Sequence, residues 1–172
     1  MMSIRGPGYR GRIRLTLVVA ALVLAAGALS GPAIGSGGTP RCSTAFLRLD
    51  FVRGQGFTSH RAWDFALRNT GPITCHLRGY PGVALLDSHA MLEGPSVVRR
   101  SAPVHTVVLK PWKRTFFTFV FTVAAPCSSG VNASGLQVFP PNSMRALRWY
   151  GRFDVCAGDH PDVSPVRPKL GP

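Results

Sequence analysis

Beyond an apolar N-terminal stretch, hydrophobic positions in this chain recur at every second residue, the period of a strand with one buried face. Ala45, Leu47, Leu49 and Phe51 share one face, with Arg48 and Asp50 between them. Trp63, Phe65 and Leu67 alternate in the same way with Asp64, Ala66 and Arg68. The strongest run is Thr115 to Ala124, TFFTFVFTVA, dense in β-branched and aromatic residues. It sets Phe117, Phe119, Phe121 and Val123 on one face, and Phe116, Thr118, Val120 and Thr122 on the other. Val83 to Asp87 is nearly all apolar, as in a more central strand. Further short strands are expected at Thr106 to Leu109, Leu136 to Phe139, Leu147 to Tyr150 and near Val163 to Val166. Turn residues separate these runs, as in Asn69-Thr70-Gly71-Pro72, Gly79-Tyr80-Pro81-Gly82, Lys110-Pro111-Trp112-Lys113 and Pro140-Pro141-Asn142. No later window sustains a helical period, so little helix is expected. Many short strands between turn signals predict an all-β, two-sheet antiparallel sandwich.

The first 36 residues follow another rule. Arg5, Arg10, Arg12 and Arg14 precede the apolar run Leu15 to Leu29, and Ser30, Gly31, Pro32 and Ala33 follow it. That order is the pattern of a secretory signal peptide. As a helix the run would reach roughly 22 Å, short of the ~30 Å hydrocarbon core of a bilayer. Residues 1–36 are therefore expected to be signal and flexible leader, and 37–172 a β-sandwich domain with its core at about 42–167. A membrane is a partner only if the signal is retained. No cysteine closes the apolar run, which argues against a lipoprotein, and the arginines never stand side by side as in a twin-arginine signal. An exported protein, secreted or associated with the cell envelope, is the expectation.

Export changes the reading of charge and cysteine. The full chain carries 20 Lys and Arg against seven Asp and Glu; without the four leading arginines, 16 remain and the net charge is +9. Such a surface favours anionic partners, although a basic surface also serves solubility alone. Cys42, Cys75, Cys127 and Cys156 form an even set with no C-x-x-C spacing, so two disulfides are expected. Three connectivities are open; the sequential one, Cys42–Cys75 and Cys127–Cys156, closes two loops of similar length.

A family resemblance enters at residues 67–87, LRNTGPITCHLRGYPGVALLD. Asn69-Thr70-Gly71, Cys75, Leu77 and Gly79-Tyr80-Pro81-Gly82, then an apolar strand ending in Asp87, resemble the exported actinobacterial proteins grouped as domain of unknown function 4232. Val108-Leu109-Lys110-Pro111, Leu136-Gln137-Val138 with Pro140-Pro141, and Val155-Cys156 before Pro165-Val166 extend the likeness over about residues 42–167. Trp112 stands where such proteins commonly have glycine after the proline. The resemblance implies an immunoglobulin-like sandwich tethered to or released from the envelope, and it carries no catalytic residues.

Candidate chemistry is sparse. Gly6-Pro7-Gly8-Tyr9-Arg10-Gly11 matches a dinucleotide-binding glycine pattern, but no strand precedes it. There is no G-x-S-x-G elbow and no H-E-x-x-H. His60, His76, His89, His105 and His160 are scattered. His89-Ala90-Met91 resembles half of a copper site, and Asp159, His160 and Asp162 a weak cation loop; ordinary loops account for both. Neither catalytic residue, metal nor cofactor is expected, and no nucleic acid partner. Two basic–aromatic clusters remain as ligand surfaces. Lys110, Trp112, Lys113 and Arg114 form one; Arg145, Arg148, Trp149, Tyr150 and Arg152 form the other, unless Trp149 is core. Cations around an aromatic face suit an anionic envelope polymer, or another envelope protein. The expectation is a non-enzymatic binding module; the alternative is a structural envelope protein without a specific ligand.

Overall fold

Trp63, Phe65 and Leu67 lie on a ten-residue strand that is hydrogen-bonded along both edges, which turns their side chains into the core. The structure, a computed structural model, describes residues 38–123, 130–156 and 160–171. The expected signal peptide therefore lies outside the described residues. A one-turn 3-10 helix, Thr44–Phe46, is followed by eleven strands: β1 (Leu47–Gly56), β2 (His60–Asn69), β3 (Cys75–Arg78), β4 (Gly82–Leu86), β5 (Leu92–Glu93), β6 (Val98–Arg99), β7 (Thr106–Leu109), β8 (Arg114–Thr122), β9 (Gly130–Phe139), β10 (Leu147–Cys156) and β11 (Asp162–Val163).

The fold is all-β, but its hydrogen bonding divides into three sheets rather than two. Their orders are β1-β2-β8-β11-β6, β10-β9-β4-β5 and the pair β3-β7. Nor is the pairing wholly antiparallel. β11 runs parallel to β6, a two-residue ladder anchored by Val98 N–H to Pro161 O and Arg100 N–H to Val163 O. Ladders so short carry no periodic signal, so alternation could not announce them. Ala45, expected in the first strand, belongs instead to the 3-10 turn.

One core joins all three sheets. Phe65, Phe117, Phe119 and Phe121 come from the first; Leu85, Leu136, Val138, Phe153 and Val155 from the second; Leu77, Val107 and Leu109 from the third. The expected inward face of β8 is buried as predicted, with Phe117 and Phe119 at 0% exposure. Rings interlock between sheets: Trp63 lies 4.7 Å from Phe153 and Phe65 5.4 Å from Trp149, centroid to centroid. Aromatic burial on this scale dominates core energetics. All these residues fall within the compact unit Ser36–Pro172.

The arm before the 3-10 turn is fixed to β3. His76 N–H donates to Pro40 O, Cys42 N–H donates to His76 O, and a Cys42–Cys75 disulfide closes the contact. Linking residues 33 apart restricts the unfolded chain. Cys156 is buried at the end of β10 and is not a free thiol; its expected partner Cys127 lies outside the described residues.

Candidate functional site

Asn69, at the end of β2, organises one end of the fold. It is 1% exposed, so its amide must find partners within the protein. Its side-chain N–H groups donate to Ile73 O at 2.8 Å and Leu109 O at 3.0 Å, and its Oδ1 accepts from Gly71 N–H at 2.9 Å. Its backbone takes hold of the β7–β8 turn: Trp112 N–H donates to Asn69 O, and Asn69 N–H to Lys113 O. Thr70 N–H donates to Phe46 O, and a Cβ at Gly71 would meet the Phe46 side chain at 2.9 Å, so glycine is required there. The β9–β10 loop joins through Thr44 Oγ1 and Ser143 Oγ, 2.5 Å apart. Four connections thus meet at one end.

The turn itself is unusual. Lys113 N–H closes it onto Lys110 O at 3.1 Å, with Pro111 and then Trp112 at its centre. Trp112 has φ 66°, the left-handed region that a turn of this kind reserves for glycine. An L-residue there costs about 1–2 kcal/mol. The ring is 68% exposed, so little burial offsets that cost. Trp112→Gly is accordingly expected to raise the unfolding free energy by about 0.5–1 kcal/mol, the relieved strain less the entropy of a freer unfolded chain. Urea denaturation measures it; a loss instead would mean that Trp112 is held by packing.

Lys110, Lys113 and Arg114 stand exposed around this tryptophan. Among the described residues, none of them has an ion-pair partner. Asp50 holds Arg48 and Arg68, and Asp162 holds Arg100.

Of the second cluster only Arg145 shares the end of the first, through the β9–β10 loop, where its N–H donates to Ser143 Oγ. Trp149 packs into the core against Phe51, Trp63 and Phe65, as its alternative reading required. Arg148 is exposed on β10 opposite Gln137. Arg152 lines an open depression of about 700 Å³ with Asp87, Asn132, Ser134 and Asp154. Asp87 Oδ1 accepts the Met91 and His89 N–H groups at 2.8 Å each. The Met91 bond leads in holding this carboxyl below its ordinary pKa, so it stays ionised and is a poor general acid. His89 lies 3.7 Å from the same carboxylate, Met91 is exposed beside it, and Asp159 lies outside the described residues.

A further constellation escaped the sequence reading. Asp64, 4% exposed, accepts Thr118 Oγ1 at 2.6 Å and Arg167 Nη2 at 2.9 Å on one oxygen, and Arg53 Nε at 2.8 Å on the other. The carboxylate thus accepts charge-assisted and hydroxyl hydrogen bonds from β1, β8 and the C-terminal segment at once. Its position at an outward step of β2 was visible; its partners, up to 103 residues away, were not. Histidines remain apart: His60 Nδ1 meets its neighbour Ser59, and His76 Nδ1 meets Thr39 O. Among the described residues no three His, Cys, Asp or Glu gather as a metal would require, and no helix is long and apolar enough to cross a membrane.

An all-β domain with a disulfide-fixed arm and an exposed loop end is what these residues define. Residues 42–167 match the family model described as a domain of unknown function, DUF4232, and the chain belongs to that family. No curated protein matches the sequence. Among solved structures, β-glucosidase from Kluyveromyces marxianus aligns over 67% of this chain and 15% of its own length, at 12% identity and a TM-score of 0.28. This chain thus spans a small part of that enzyme.

Proposed function

We propose that this chain is an exported, non-enzymatic module of immunoglobulin-like architecture that binds an anionic ligand at the cell envelope through the Trp112 end. The observation that carries this reading is Trp112 itself: an exposed tryptophan in a left-handed turn position, amid cations without partners. Strain of this sort persists where the surroundings impose it and clusters at ligand clamps. The signal-like N-terminus and the net charge of +9 beyond it support export toward an anionic partner.

Polyphosphate is a suitable probe of phosphate-rich polymers. Lys113→Glu with Arg114→Glu is expected to weaken its binding about tenfold at low ionic strength, with the unfolding midpoint nearly unchanged, because exposed charges steer binding and add little to the core. Added salt should weaken the wild type by screening. Equal binding by the double variant removes the Trp112 turn as the site.

A further inference from the structure

Three other apolar side chains share the loop end with Trp112. Phe46, Ile73 and Met144 are 50%, 58% and 93% exposed, against 68% for Trp112. Each comes from a different connection, and the bonds through Asn69 and the Thr44–Ser143 pair hold those connections together. Residues 43–46, 70–74, 110–113 and 140–146 contain no Asp or Glu, while Lys110, Lys113 and Arg145 supply positive charge. Met91 and Leu92, exposed elsewhere, have acids beside them: Asp87 Oδ1 accepts the Met91 N–H, and Glu93 follows Leu92 in the chain.

We infer that this end docks on an anionic lipid surface, the four apolar tips entering the headgroup region while Lys110, Lys113 and Arg145 meet lipid phosphates. This rests on the anionic-ligand reading and names its ligand. A soluble polyanion satisfies the cations but gives Met144 and Ile73 no apolar environment; a bilayer supplies both at once. Tryptophan favours the interface, where its ring is buried and its N–H stays wet. Basic side chains are drawn to an anionic leaflet over about a Debye length. The depressions along β10 and around Asp64 are lined by other residues than these tips.

The test uses the processed chain from Ser36, the compact unit that holds the core residues named above, with phosphatidylcholine vesicles with and without phosphatidylglycerol. Trp63 and Trp149 are packed among core rings, so Trp112 is the solvent-exposed reporter. The expected result is binding that requires phosphatidylglycerol, with a blue shift of tryptophan emission and quenching by lipids brominated near the headgroup. Trp112→Gly with Met144→Ser should weaken partitioning at least about tenfold, and Trp112→Gly alone should abolish the shift. Both sites are exposed, and circular dichroism verifies the fold of each variant. Vesicle binding that survives the double substitution, or that occurs without shift or quenching, overturns the inference. Binding of polyphosphate but not of anionic vesicles overturns it too and leaves the anionic-ligand reading standing. If neither binds, both fail.

Discussion

Replacing Phe119 by alanine is expected to cost about 3–5 kcal/mol of unfolding free energy, the range for a phenylalanine removed from a packed interior. Phe119 is 0% exposed at the middle of β8, paired with Trp63 on one side and Val163 on the other, and its ring lies 5.3 Å from Phe121. Three strands converge on the space it fills, so the cavity cannot close without moving a ladder. Domains of this size are typically stable by about 5–15 kcal/mol, and this one substitution threatens a large part of that. Urea titration should show a lower midpoint with an unchanged slope. Val108→Ala on β7, at 55% exposure, should stay within about 0.5 kcal/mol. A loss below about 1 kcal/mol at Phe119 would mean that the buried face has been misjudged.

That contrast shows what strand alternation conveys. The faces of β2 and β8 were legible because each side chain's environment is set by its own parity along a strand. β9 and β10 were expected at four residues each and run to ten. Gly130, Asn132 and Gly135 weaken the local signal of β9, and its pairing with β10 overrides that weakness. β3 escaped because Cys75-His76-Leu77-Arg78 is short and bounded by turn residues; its order comes from β7 and the disulfide-bound arm. The Trp112 cluster was visible because its cations are contiguous in sequence. The loop end as a whole was not, since Ser143 meets Thr44 across 99 residues. Parity can place a residue inward or outward, but only the fold brings distant turns together.

Asn69→Asp tests the keystone of that end. The substitution keeps size and keeps an acceptor for Gly71 N–H, but it removes both donors. The carbonyls of Ile73 and Leu109 then lose partners at 2.8 and 3.0 Å and face carboxylate oxygen instead. Stranding buried polar groups costs about 1–3 kcal/mol each, and burying the new charge adds to it, so a destabilisation of about 3 kcal/mol is expected. The damage should also be local. Trp112 and Lys113 reach the fold through the Asn69 backbone, so the β7–β8 turn should loosen before the core does. Hydrogen exchange is expected to quicken first at Gly71 and Trp112 while Phe117 and Phe119 stay protected, and the folded variant should bind polyphosphate more weakly than wild type. A loss under about 1 kcal/mol with unchanged exchange at Gly71 would show that the Asn69 amide does not hold the loop end together.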